Sequence, residues 1–236
     1  MSQPNDGEIA PASPKTRKPL RRVVEAFASP NRYGLLLVLI LITYSISVWV
    51  SGAWGLSIAL VTQMLTLWLA IHTSEAWRFL RVVATVLLII AAFAAALNLV
   101  LDEEHTPWFA ELMSILMYAV APSVIMRHLI LRDRVDRRAL LGALSAYLML
   151  GMFFAFLYRF IGTVQSSPFF GAQGDATTAQ DLFFSFTTLT TTGYGNLVPA
   201  GNPGQSVAVM EMITGQLFML AAIGKFISVW KPKVRR

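Results

Sequence analysis

The sequence has no cysteine, so disulfide staples and thiol chemistry are excluded, and its redox compartment stays open. It has only three histidines, His72, His105 and His128, each in a different loop or helix end. A metal cluster or a catalytic triad built on them is not expected. No paired carboxylates or nucleophile–base pair stands out as a catalytic set, so the chain does not read as an enzyme and no organic cofactor is implied. Charge is sparse: 14% of the 236 residues are charged against 56% hydrophobic, and the mean hydropathy is +0.59. An ordinary soluble domain is excluded by that balance. The first thirty residues contain no apolar run, so no cleaved signal peptide is expected.

Long apolar segments fill the space left by charge. Runs of about 18 or more apolar residues read as bilayer-spanning helices. Six are expected: Tyr33 to Ser51, Gly55 to His72, Phe79 to Leu101, Trp108 to Met126, Ala139 to Ile161 and Pro203 to Ser228. Asn202 is a plausible N-cap of the last, with proline in its favoured first position. Ahead of them, residues 1–29 are rich in Pro, Ser, Lys and Arg and read as a disordered basic arm, in which Arg21 to Phe27 can form a short amphipathic turn on headgroups. The expected division is this arm, a four-helix unit at 30–126, a linker at 127–138 and a second unit at 139–236. The tryptophans near helix ends (Trp49, Trp54, Trp108 and Trp230) read as interfacial anchors.

The net charge of +6 does not imply nucleic acid, because the basic residues follow the loops. The arm, the loop after the second helix, the 127–138 segment and the C-terminal end hold eighteen of the nineteen, and only Arg159 lies elsewhere. Asp102, Glu103, Glu104 and Asp175 take the opposite side. By the positive-inside rule both termini are expected in the cytoplasm. The arginines of 127–138 can face anionic lipid on an interfacial helix, or simply occupy a solvated loop. Arg159, at the outer end of the fifth helix, is expected to snorkel to the interface.

Between the last two spans lies Thr190-Thr191-Thr192-Gly193-Tyr194-Gly195-Asn196. Thr178 with Asp181 fits a capping box opening a helix that ends near Thr191, too short to span a bilayer and therefore re-entrant. Gly162 to Ala176 reads as a glycine-rich outer turret. Two glycines flanking a tyrosine permit an extended loop whose carbonyls turn one way, and stacked carbonyl rings can replace the water shell of potassium. Thr191-Thr192-Gly193-Tyr194-Gly195 resembles the selectivity filter of the tetrameric potassium channels. That resemblance implies an all-α integral membrane protein: six transmembrane helices, a re-entrant pore helix and filter between helices five and six, and four chains around one axis. It further implies K+ as the permeant ligand, held at Thr191, Thr192, Gly193 and Tyr194, with Gly195 completing the filter. The family usually has Val or Ile at Thr192, whose side chain points away from the ions, and often Asp at Asn196. Losing that carboxylate leaves filter inactivation open. The compact form resembles prokaryotic members, which suggests a bacterial inner membrane.

Six helices with this loop also resemble the voltage-gated branch, but the fourth helix carries no basic residue before Arg127. Weak or absent voltage dependence is therefore expected. Glu211 has two readings, a brace behind the pore helix bonding Thr187, Thr188 or a filter amide, or a side chain reaching outer water. Gly215 likewise is either the bending point known in related channels or a close-packing residue. Thr62, Gln63, Thr66 and Asn98 are expected to bond between helices. The competing functions are a poorly selective cation pore and a non-conducting membrane sensor or scaffold.

Overall fold

The computed structural model describes residues 32–50, 53–73, 78–100, 107–130, 137–174 and 176–229. The basic arm, the acidic stretch 102–104, Asp175 and the middle of the 127–138 segment lie outside the described residues. Among those described there are seven α-helices: α1 (Arg32–Trp49), α2 (Ala53–Thr73), α3 (Arg78–Val100), α4 (Pro107–Ile130), α5 (Arg137–Val164), α6 (Thr178–Leu189) and α7 (Asn202–Val229). One 3-10 turn, Gly171–Gln173, interrupts the loop before α6. Five of the six expected spans both begin and end within about three residues of the observed helices. The fourth runs on to Ile130 through Pro122, an interior proline that membrane helices tolerate when neighbours satisfy the freed carbonyl.

Helices α1 and α2 are apolar all round, a pattern of buried or bilayer helices. In α1 Tyr33, Leu36, Ile40 and Thr43 are buried at three- and four-residue spacing, while Leu35, Val38, Leu41 and Ile42 on the opposite side are exposed. In α2 the buried stripe contains Thr62, Gln63 and Thr66, and the exposed stripe is Ile58, Val61, Leu65 and Trp68. A continuous apolar exterior of this kind is stable against lipid and not against water. Among the described residues the Thr62 and Thr66 hydroxyls bond within their own helix and not between helices as expected. Thr62 Oγ1 donates to Ile58 O at 2.9 Å and Thr66 Oγ1 to Thr62 O at 2.7 Å, both one turn back on their own helix. A β-branched hydroxyl in a helix reaches that carbonyl with no rearrangement. Gln63 has neither amide atom bonded among the described residues, and the Asn98 side chain lies outside them.

Helices α5 and α7 are long enough to cross a bilayer, with apolar stretches of 26 and 27 residues. Helix α6, with 12 residues, extends only about 18 Å and cannot. It packs between α5 and α7, with Leu182 at its centre fully buried. One core joins Leu36 and Ile40 of α1, Leu60 and Leu67 of α2, Tyr118 of α4, Met149 and Met152 of α5, and Leu182. The first helix reaches α6 itself, where Tyr44 meets Phe186 edge-on at 5.8 Å.

The 162–176 segment is loop only in part. Gly162, Thr163 and Val164 continue α5, and Phe169 and Phe170 turn inward to be buried with Phe154, Tyr158 and Phe184. Their rings stack edge to face, Phe169 on Phe170 at 4.9 Å and Tyr158 on Phe184 at 4.9 Å. Burying two phenylalanines outweighs the turn-forming preference of the glycines around them. Phe169 O also accepts from Ala200 N at 3.0 Å, tying this loop to the one leading into α7.

Candidate functional site

Helix α6 opens one residue earlier than the sequence suggests. Thr177 is the N-cap: its hydroxyl accepts from Gln180 N at 3.3 Å, and Gln180 Oε1 accepts from Thr177 N at 2.8 Å. Thr178 and Asp181, the expected pair, lie one step along the same motif. Gln satisfies the third position as well as an acid does, which leaves the Asp181 carboxylate to turn inward. It is buried, 3.9 Å from Arg159 Nη1. Arg159 also donates to Ala176 O at 3.4 Å, so it folds over the start of α6 rather than only snorkelling outward.

Along α6 each turn is gripped by a neighbour. Ser185 Oγ lies 2.7 Å from Gly151 O of α5 and 2.5 Å from Glu211 Oε1 of α7. Glu211 Oε2 accepts from Tyr158 Oη at 2.6 Å. The Glu211 side chain is therefore buried against α5 and α6. It reaches neither outer water nor Thr187 and Thr188. Phe186 lies over Gly151, where an added Cβ would come within 2.6 Å of its ring. At the C-terminal end Leu189 O accepts from Tyr147 Oη at 3.0 Å, and Gly215 of α7 lies directly behind. A Cβ there would stand 2.9 Å from both Leu189 O and Leu189 Cδ1. Gly215 is thus a contact point for α6, and α7 continues through it as one uninterrupted helix.

Beyond Leu189 the chain stops being helical by hanging on the last turn. Thr190 N donates to Phe186 O, Thr191 N to Thr188 O, and Thr192 N and Gly193 N both to Thr187 O, at 2.8 to 3.1 Å. Thr190 Oγ1 donates to Phe186 O at 2.6 Å and accepts from Thr192 Oγ1 at 2.9 Å, which turns the Thr192 side chain back toward α6. The backbone then alternates in hand. Thr191, Gly193 and Gly195 have φ of +59°, +53° and +77°, and the residues between them stay negative. Alternation of this kind points successive peptide groups the same way, N–H groups along one side and carbonyls along the other.

Two observations set this loop apart. A β-branched residue at positive φ is strained by about 1–3 kcal/mol, and such strain collects at functional sites. And among the described residues the carbonyls of Thr191, Thr192, Gly193, Tyr194 and Gly195 accept no hydrogen bond. Thr191 to Asn196 are exposed in the single chain. Tyr194 lays its ring flat on Phe183, with centroids 5.7 Å apart, and Gln173 Nε2 donates to Asn196 O and anchors the far end. Such a row of oxygens can take a cation in place of water. Sequence reasoning had singled out the loop, Glu211 and Gly215. It missed Tyr147, Gly151, Tyr158 and Ser185. The aromatic and serine residues of α5 and α6 look like ordinary apolar-helix residues until the packing brings them to one place.

Residues 142–231 match the family model described as ion channel. The matched span runs from the first turns of α5 through α6 and the Thr191–Asn196 loop to the end of α7. It supports an ion channel family, ion transport as the activity rather than enzymatic turnover, and a membrane protein. The curated proteins and the solved structures give no match to the chain.

Proposed function

We propose that this chain is the subunit of a homotetrameric, potassium-selective channel that conducts K+ passively across a membrane. The observation that carries the reading is the alternating backbone at Thr191, Gly193 and Gly195, with five carbonyls left free to meet a cation. In this reading α6 is a re-entrant pore helix whose C-terminal dipole end favours a cation in the space below the loop. Thr191, Thr192, Gly193 and Tyr194 supply the ion-holding oxygens and Gly195 the last turn. Thr187 and Thr188 hold the filter's amides through their carbonyls, Asn196 ties its outer end, and Glu211 braces α6 from behind.

The need for more than one copy comes from α7. Its apolar stretch is only 17% buried within the chain, against 56% for α5. Gly204, Ala208, Glu211 and Gly215 form a single inward stripe, and Val209, Met210, Ile213, Leu217 and Leu220 are left outside it. A lone loop also cannot surround an ion, and four copies around an axis would supply both the enclosure and the cover for α7. Helices α1–α4 flank the pore without a gating-charge ladder, so opening is weakly voltage-dependent or voltage-independent. Both termini lie in the cytoplasm, the membrane is a bacterial inner membrane, and anionic headgroups face the arginines between 127 and 138.

The test is flux from liposomes containing the purified protein under a potassium gradient. Potassium-driven efflux that barium blocks is expected. Absence of flux under every condition would favour a non-conducting sensor or scaffold instead.

A further inference from the structure

The hydrogens around Glu211 do not add up if its carboxyl is ionised. Ser185 Oγ has one hydrogen and two close oxygen neighbours, Gly151 O at 2.7 Å and Glu211 Oε1 at 2.5 Å. A backbone carbonyl has no hydrogen to offer. If Ser185 donates to a carboxylate, its lone pairs face the Gly151 carbonyl at hydrogen-bonding distance, which is repulsive. If Ser185 donates to Gly151, the hydrogen on the 2.5 Å contact must come from Glu211. Tyr158 Oη, at 2.6 Å, donates to the other carboxyl oxygen in either case.

We propose that Glu211 is held as the neutral carboxylic acid, donating to Ser185, and that in this form it is the residue that positions the pore helix beneath the filter. The inference rests on the channel reading for its consequence, though not for the proton. The relay runs Glu211 Oε1–H to Ser185 Oγ, Ser185 Oγ–H to Gly151 O, and Tyr158 Oη–H to Glu211 Oε2. Each hydrogen then has one acceptor and each close contact has one hydrogen. The surroundings agree with a neutral group. Glu211 is fully buried about two and a half turns into α7, at a depth where an unpaired carboxylate is costly. Apart from Arg137 and Arg138 at the opposite end of α5, the titratable and charged groups of the two helices packed on it are Tyr147, Tyr158 and Arg159 of α5 and Asp181 of α6. Tyr147 donates to Leu189 O, and Arg159 is directed at Ala176 O and Asp181. Among the described residues Glu211 has no ion-pair partner.

The position of Ser185 gives the proton its effect. Two residues further along α6, Thr187 O carries the amides of Thr192 and Gly193. A shift of α6 at Ser185 is therefore passed to the row of oxygens. Glutamine reproduces the neutral acid's pattern, since its NH₂ can donate to Ser185 and its oxygen accept from Tyr158. Alanine reproduces neither.

The test has two readouts on the full-length protein in lipid. The first is the infrared difference between the parent and E211Q at neutral pH. A protonated-carboxyl C=O band that disappears in E211Q is expected, and loss of carboxylate bands instead would overturn the proposal. The second is the potassium-over-sodium permeability ratio. It is expected to fall by about tenfold in E211A, which leaves the buried Tyr158 hydroxyl without its acceptor and Ser185 Oγ without its donor, and to recover in E211Q. E211Q as impaired as E211A, or E211A unchanged, would overturn the positioning role. If E211A does not assemble, the infrared readout and E211Q decide alone. A parent protein that passes no current would sink the channel reading while the infrared band still reports the proton.

Discussion

Replacing Gly215 by alanine decides whether that residue is a contact point or a bending point. The new Cβ would stand 2.9 Å from Leu189 O and 2.9 Å from Leu189 Cδ1. The leucine tip can rotate, but the carbonyl belongs to the backbone and is also the acceptor for Tyr147 Oη at 3.0 Å. Relief requires the peptide between Leu189 and Thr190 to draw away from α7, one residue before the proposed filter. Overpacking of this kind costs about 1–3 kcal/mol. Alanine's better helix propensity returns about 1 kcal/mol. The net expectation is a loss of up to about 2 kcal/mol per chain. Gly224 is an internal control, because nothing lies within 4 Å of its Cβ position. Gly224→Ala should therefore gain up to about 1 kcal/mol. The assay is thermal unfolding of the purified protein in detergent, repeated in a double-mutant cycle with Tyr147→Phe. Coupling between the two sites is expected, on the order of 0.5–3 kcal/mol, since both act on one carbonyl. Gly215→Ala as stabilising as Gly224→Ala, or strictly additive with Tyr147→Phe, would refute the contact role.

Other expectations follow from the same geometry. Gly193→Ala or Gly195→Ala meets open space but must hold positive φ, at about 1–2 kcal/mol for each chain; potassium current should be lost while folded protein remains, and a variant conducting like the parent would count against the alternating backbone. Thr192→Val removes one exposed hydroxyl contact to Thr190 and should leave potassium-over-sodium selectivity intact, because that side chain turns toward α6; a collapse of selectivity would mean that the hydroxyl meets the ion. Helix α4 has no basic residue from Pro107 to Met126, and each charge crossing the field is worth about 2.3 kcal/mol per 100 mV. Conductance should therefore vary little with voltage, and a curve carrying several gating charges would contradict this.

Much of the architecture was legible because lipid-facing helices announce themselves by length. Apolar runs near Tyr33, Gly55, Phe79, Ala139 and Pro203 each correspond to a helix, and the stretch from Thr191 to Asn196 stands out by its glycines taken together with its apolar flanks and its resemblance to a known filter. What was hidden depended on choices between near-equal neighbours or on partners far away in the chain. Two adjacent threonines, each followed three residues later by a competent cap partner, left the start of α6 ambiguous by one step. Phe169 and Phe170 sit among serine, proline and glycine, so their burial is decided by the space beside Tyr158 and Phe184 and not by their neighbours in sequence. The Thr62 and Thr66 hydroxyls had carbonyls of their own helix within reach, and no sequence signal separates that from a bond across helices. Ser185 meets Glu211 across 26 residues and Tyr158 meets it across 53. Only the packing of α5, α6 and α7 puts the three together.

The reversal potential of the purified protein in a planar bilayer, with potassium on one side and an equal concentration of sodium on the other, tests the central claim most directly. If the row of oxygens at Thr191 to Tyr194 substitutes for potassium hydration, the current should reverse far from zero, on the side set by potassium. A reversal near zero would mean a pore that does not distinguish the two ions, and would contradict the account.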